Sequence, residues 1–251
     1  MADLYACTQE RGIYKQTGGT GAFVEIDPAQ HAWQGIAAHP DGSVYATGND
    51  QVWRKSRDGS TFVSLNLPSR AYKGVTVAPN GDVYVCVYSN ETGQIYKQIG
   101  AAGDFVSLNQ PALLYWGMSS SLNGDIYVVR HGDIAYKQTG GVGDFQAFQS
   151  GYSPGLVLQV AVSPAGDVWA ASSATIFLNH ANTSPPAGNY YGVAIFVNGD
   201  VYCSPYGVPI KKKVGGVGAW EDVESGSYNW TGICSSYSFN PLVHSYGTII
   251  G

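Results

Sequence analysis

The side chains best suited to chemistry in this 251-residue chain are aromatic, and they recur. Trp33, Tyr72, Trp116, Tyr191 and Trp230 each stand just ahead of a glycine, as in Trp33-Gln34-Gly35-Ile36 and Tyr72-Lys73-Gly74-Val75. Tyr115, Tyr152, Tyr190 and Tyr228 lie beside or before them. Polar residues recur at a second place, among them Glu10, Arg11, Asn49, Asp50, Asn90, Glu91, Arg130, His131 and Asp133. An aromatic plane covers the apolar face of a pyranose while amides and charged groups meet its hydroxyls, so this pairing suits carbohydrate. The sugar-binding set expected from the pattern is Trp33, Tyr72, Trp116, Tyr191 and Trp230 with Asn49, Asn90 and Arg130. The competing use of the same aromatics is packing between repeated units.

Catalytic and metal signatures are missing from the sequence. His31, His39, His131, His180 and His244 fall at unrelated places without metal spacing. There is no Gly-x-Ser-x-Gly, phosphate loop or dinucleotide fingerprint. The expectation is a chain that is not an enzyme, with no metal and no cofactor. Cys7, Cys86, Cys203 and Cys234 give no disulfide framework and read as free thiols, with a Cys7–Cys234 clasp as the alternative.

These residues need a scaffold, and the sequence supplies one by repetition. Gly42-Ser43-Val44-Tyr45 is followed by Gly81-Asp82-Val83-Tyr84, Gly124-Asp125-Ile126-Tyr127, Gly166-Asp167-Val168-Trp169 and Gly199-Asp200-Val201-Tyr202. Each follows an aromatic or apolar run, and most precede a phrase such as Ile95-Tyr96-Lys97-Gln98 and a Gly-rich link such as Gly140-Gly141-Val142-Gly143. Four short strands, A to D, therefore recur in six repeats of roughly 33–43 residues, the pattern of propeller blades. Asp41-Gly42, Asn80-Gly81, Asn123-Gly124 and Asn198-Gly199 predict tight A–B hairpins with positive φ at both central residues. The Asp after the turn glycine reads as a structural acceptor of backbone N–H groups. Lys15-Gln16, Lys97-Gln98 and Lys137-Gln138 read as outward-facing and solvated.

The chain opens on Asp3-Leu4-Tyr5, a strand B without an A, and Trp230-Thr231-Gly232-Ile233 near its end is a strand A without clear followers. Joining them predicts an all-β, six-bladed β-propeller over residues 1–251, with four antiparallel strands per blade and closure by the N- and C-terminal strands in one blade. The start of strand A and the B–C and D–A loops then share one face. Residues 241–251 have no assigned place.

Composition agrees. Charged residues are 12% against roughly a quarter in ordinary domains, and there are 33 glycines. The formal net charge of −5 disfavours nucleic-acid binding, which demands a basic surface. No apolar run reaches membrane-spanning length, and no classical signal peptide is visible, so a cytoplasmic place or release without one is expected. Sequons at Asn90, Asn182 and Asn229 matter only on export.

The succession aromatic-x-Gly-aliphatic, Gly-Asp-Val-Tyr and Ile-Tyr-Lys resembles the repeats of tachylectin-2-like and tectonin-type β-propeller lectins. The resemblance implies a multivalent carbohydrate-binding protein, with glycans or glycoconjugates as partners and avidity from repeated shallow sites. A protein-interaction propeller is the alternative; it would show one broad patch spanning blades in place of a repeated pocket. A propeller hydrolase or lyase is the third reading and would need a metal or paired carboxylates in the tunnel.

Overall fold

The hairpins are set by their glycines. The computed structural model describes all residues except 1, 133, 150–155, 164, 180, 184, 187, 224 and 237–251, together with all side chains of the described strands except those of residues 134 and 149. Gly42, Gly81, Gly124, Gly166 and Gly199 take φ between 86° and 92°. The preceding Asp or Asn does not share the positive φ, so the expected pair of left-handed residues is corrected to one. In each turn the glycine N–H bonds back three residues, as Gly81 N–H does to the Ala78 carbonyl (2.9 Å), while Ala78 N–H bonds to Asp82 O (2.8 Å). This is a type I turn with a glycine bulge, and it needs only one such residue.

Among the described residues, twenty-four short strands follow from these turns. The first repeat supplies β1 (Leu4–Thr8), β2 (Ile13–Gln16) and β3 (Val24–Asp27). Next come β4 (Gly35–Ala38), β5 (Val44–Gly48), β6 (Gln51–Lys55) and β7 (Val63–Ser64). The third repeat holds β8 (Tyr72–Val77), β9 (Val83–Val87), β10 (Ile95–Gln98) and β11 (Val106–Ser107). The fourth holds β12 (Tyr115–Ser120), β13 (Ile126–Arg130), β14 (Ile134–Gln138) and β15 (Gln146–Gln149). The fifth holds β16 (Val157–Val162), β17 (Val168–Ser172), β18 (Ile176–Leu178) and β19 (Ala181–Asn182). The chain continues through β20 (Tyr190–Ile195), β21 (Val201–Val208), β22 (Lys211–Lys213), β23 (Trp220–Asp222) and β24 (Tyr228–Ser235).

Four of these groups, β4–β7, β8–β11, β12–β15 and β16–β19, are separate antiparallel four-stranded sheets. The expected set of six separate blades is corrected here, because the remaining eight strands form one continuous sheet. β21 and β24 are each eight residues long, and their ends pair through Tyr206 with Asn229 and Val208 with Tyr228. That pairing zips the β20–β23 hairpins to a second group in which β24 lies beside β1. The terminal closure itself is present: Leu4 to Thr8 pair antiparallel with Ser235 to Trp230. Closure of this kind removes an unpaired strand edge from the centre of the molecule.

β4, β8, β12, β16, β20 and β24 line one narrow central channel through residues such as Ala37, Thr76, Ser119, Ala161, Ala194 and Cys234. Their close approach explains the repeated glycine of strand A. A Cβ at Gly74 would lie 2.6 Å from the Trp116 carbonyl oxygen, and one at Gly35 would lie 2.5 Å from that of Lys73. The hydrophobic core lies between neighbouring sheets. Tyr45 and Val52 pack on Tyr72, Val75 and Val83, for example, and Trp169 and Ile176 on Tyr190 and Val201.

The Gly-Asp repeat is a framework device. Asp3, Asp82, Asp125 and Asp200 ion-pair with Lys15, Lys97, Lys137 and Lys212 at 2.6–2.8 Å. Each carboxylate also accepts a backbone N–H from the C–D turn, as Asp125 does from Gly140 (2.8 Å). The outward, solvated Lys-Gln reading is corrected. The lysines are ion-paired, and Gln16, Gln98 and Gln138 are buried, each donating to the carbonyl five residues on. Each Gln follows the strand C aromatic by two residues and so shares its side of the strand, as Gln16 does with the buried Tyr14, while the Lys between them points the other way. All four cysteines are free. Cys7 and Cys86 are inter-strand wedges: Cys7 Sγ meets Thr231 Oγ1 (3.6 Å), and Cys86 Sγ donates to the Trp116 carbonyl (3.3 Å).

Candidate recognition face

A backbone irregularity decides which aromatics reach solvent. The aromatic that heads strand A is Trp33, Tyr72, Tyr115, Tyr190 or Trp230, and every one is buried. Tyr72 and Tyr115 donate their hydroxyls to Pro68 O (3.1 Å) and Pro111 O (2.8 Å), and Tyr190 does the same to Pro186 O. Trp33 Nε1 donates to Ala29 O (2.8 Å). Burial pushes the Tyr72 phenol up to about 12. These rings clamp the D–A loop onto strand A, which is the packing role. Trp33 and Trp230 are 0% exposed and Tyr72 is 3% exposed, so no ring face of these three expected sugar contacts is open to a ligand.

Immediately after the head residue the pairing register shifts, between Tyr72 and Val75, Tyr115 and Met118, and Tyr190 and Gly192. Such a bulge re-aims the side chain it carries. Lys73, Trp116 and Tyr191, so placed, gather at the mouth of the channel with Gln34, Gln159 and Thr231. Trp116 and Tyr191 are therefore brought to one site, half-buried, while Trp33, Tyr72 and Trp230 are not. Asn49, Asn90 and Arg130 do not line the mouth. Asn49 is exposed, with its amide 3.3 Å from the His31 ring. Asn90 is exposed in the turn closed by Gly93 N–H to Ser89 O (2.9 Å), and Arg130 ends β13 opposite Tyr115. Asp133, Tyr152, His180 and His244, and the unassigned residues 241–251, lie outside the described residues.

The mouth is asymmetric. Lys73 Nζ sits 4.9 Å over the Trp116 ring and donates to Gln34 Oε1 (3.1 Å). Burial pulls the Lys73 ammonium below the usual lysine range, with Asp50 acting against that shift. Trp116 also packs on His131 (5.0 Å between ring centroids) and edge-on to Tyr88 (5.1 Å). Burial lowers the His131 pKa, so its neutral form is favoured. Gln159 Nε2 is held by Met118 O (2.7 Å), and Tyr191 packs on the exposed Tyr206 (5.9 Å). Further out on the same loops, His31 stacks on Trp53 (3.9 Å), and Arg11 lies 4.7 Å over Tyr228. Lys73, Tyr88 and Tyr206 were absent from the sequence-derived set. The signal for Lys73 was that its repeat carries a cation at the residue before the strand A glycine, where Trp116 and Tyr191 stand in two others; Tyr88 and Tyr206 carried no such signal.

Among the described residues no three His, Cys, Asp or Glu side chains cluster as metal ligands. His39 is engaged with Gly81 O (3.0 Å) and Asp41 (2.7 Å). Among the described residues no helix is long and apolar enough to cross a membrane.

No protein-family model matches the chain, and no curated protein matches it. Solved structures do. A chain of the nidogen/laminin complex superposes with a TM-score of 0.77 at 11% identity, over 95% of this chain and 99% of that one. A streptogramin B lyase matches with a TM-score of 0.61 at 18% identity, over 77% and 69% of the two chains. YCF48 bound to D1 peptide matches with a TM-score of 0.56 at 12% identity, over 87% and 77%. At these identities the likeness shows the fold: the chain is an all-β propeller with four strands to a blade.

Proposed function

We propose that this chain is a recognition propeller that holds a segment of a protein partner on the D–A/B–C face, across the channel mouth. One observation carries the reading. At the channel mouth the accessible aromatic and cationic residues form one asymmetric patch around Trp116 and Lys73, whereas the aromatics that head strand A in blade after blade are consumed by packing. A multivalent lectin needs the same pocket several times. An interface needs one patch, rich in aromatics and cations, with buried neighbours that exclude water. Counting by the inner strands, we take the eight-stranded sheet as two joined blades, which would set six loop clusters around the mouth.

We further read the chain as non-catalytic. Among the described residues the channel lining consists of Ala, Val, Ile, Thr, Ser, Met, Gln and Cys side chains, without a carboxylate or imidazole for proton transfer, and burial pushes its one thiol, Cys234, up and so favours the neutral form. A carbohydrate ligand is the second reading. It is favoured by one feature, the Gln34 and Gln159 amides that line the mouth together with Trp116. Panning a displayed peptide library and a glycan array against folded protein separates the two. The proposal expects peptides that bind the native chain and are lost with Trp116→Ala. Glycans that bind with the same dependence on Trp116, and no peptides, would replace it with the second reading.

A further inference from the structure

The second strand of most repeats begins with a Tyr that faces the C–D turn of the next repeat. Tyr84 donates to Gly141 O (3.3 Å), and Tyr202 donates to Gly19 O (3.2 Å). Each acceptor closes a short 3-10 turn, Thr139–Gly141 or Thr17–Gly19, that fills the space between sheets. The groove left beside Tyr84 is about 250 Å³ and is lined by Asn80, Leu122, Asn123 and glycines, with no charged side chain.

Tyr5 holds the same position in β1, but the turn it faces is built differently. Ser56-Arg57-Asp58-Gly59-Ser60 stands where the Gly-rich turn would be, closed by Gly59 N–H to Ser56 O (3.0 Å). A cavity of about 320 Å³ opens beside Tyr5, lined by Lys15, Lys55 and Arg57 with Ser56 and Ser60. The stem of Arg57 lies across Gly42, where an added Cβ would come within 3.0 Å of its Cγ and Cδ. Lys55 Nζ is fixed on the Gly59 carbonyl. Lys15 is ion-paired with Asp3 (2.7 Å), and Asp58 is exposed beside Arg57. Three cations thus converge on one cavity with a single ion-paired carboxylate. No counterpart of this arrangement lies beside Tyr84.

We infer that this inter-sheet cavity binds a phosphate or sulfate group. A tetrahedral oxyanion presents enough acceptor oxygens for a guanidinium, an ammonium and two hydroxyls together, and charge-assisted bonds of that kind are the strong ones. The site lies on the face opposite the channel mouth and stands independently of the partner proposed there.

The test is a titration of the full, isotopically labelled chain, followed by amide NMR shifts. The probes are inorganic phosphate, inorganic sulfate, glucose 6-phosphate and glucose 6-sulfate, with glucose as the uncharged control. The expected result is saturable shifts of the residue 55–60 amides with the anions and none with glucose. Arg57→Gln keeps most of the stem over Gly42 and should weaken binding about tenfold or more, the loss of a charge-assisted contact. Tighter binding of the esters would identify the group as carried on a larger molecule, and equal binding would identify the free ion. Two results would overturn the proposal: no saturable shift at millimolar anion, or equal affinity in native and Arg57→Gln protein of unchanged spectrum.

Discussion

At the scale of single residues, the carboxylate after each turn glycine matters most to stability. Burial opposes ionisation of Asp82, Asp125 and Asp200, yet the paired lysine, the turn N–H and the neighbouring Asn together hold each below the usual carboxylate range. A carboxyl group whose folded pKa is depressed contributes stability that is present above its unfolded value, near 3.8, and is lost as pH falls through the folded value. The ammonium of Lys137 is held up chiefly by its bond to Asp125, so its share is present below 10.5 and is lost as pH rises above that. Asp125→Asn is expected to cost about 1–3 kcal/mol at neutral pH, since the Asp125 side chain is only 4% exposed and both a lysine and a backbone N–H lose their charged partner. Chemical denaturation at pH 7 and pH 3 checks this. The native-minus-variant gap should shrink at the lower pH, and a constant gap would contradict the assignment. This role was legible from the repeated Gly-Asp. The burial of Gln16, Gln98 and Gln138 was not, because reading each Lys-Gln pair as one solvated unit overlooks that neighbouring strand residues face opposite sides.

At the scale of elements, the strands were readable because Asn-Gly and Asp-Gly punctuate apolar runs of even length. Even the weakened copy around β18 and β19 forms a sheet. The sequence concealed the bulge one residue into strand A. Tyr115-Trp116 and Tyr190-Tyr191 are double aromatics, so an aromatic-x-Gly pattern leaves open which ring heads the strand and which is turned to the mouth. The choice is made by pairing register, which no single repeat encodes. β24 is the element on which the arrangement depends, since it pairs with β1 on one side and with the end of β21 on the other. A chain ending at Gly226 is compared with one ending at Ser236, so that β24 alone differs. Losing an inner strand should exceed the roughly 5–15 kcal/mol by which such domains are stable, leaving the shorter chain aggregated. Size-exclusion chromatography and a thermal melt read the outcome. A monodisperse shorter chain with the same melting temperature would contradict the closure.

At the scale of the molecule, repetition was the strongest signal and also the source of the largest correction. It correctly implied radial sheets around one channel. It also implied equivalent sites, which packing then consumed: the more regular an aromatic position is, the more deeply it is buried. Functional asymmetry sits where repeats differ, at Lys73 and Trp116 on one face and at the Ser56–Ser60 turn on the other. The most direct measurement is hydrogen–deuterium exchange of the full chain with a peptide selected on the native protein. The account predicts slowed exchange in residues 72–75, 115–118 and 190–193, which ring the channel mouth. Slowing confined to residues 139–143 and 214–218, on the opposite face, would contradict it.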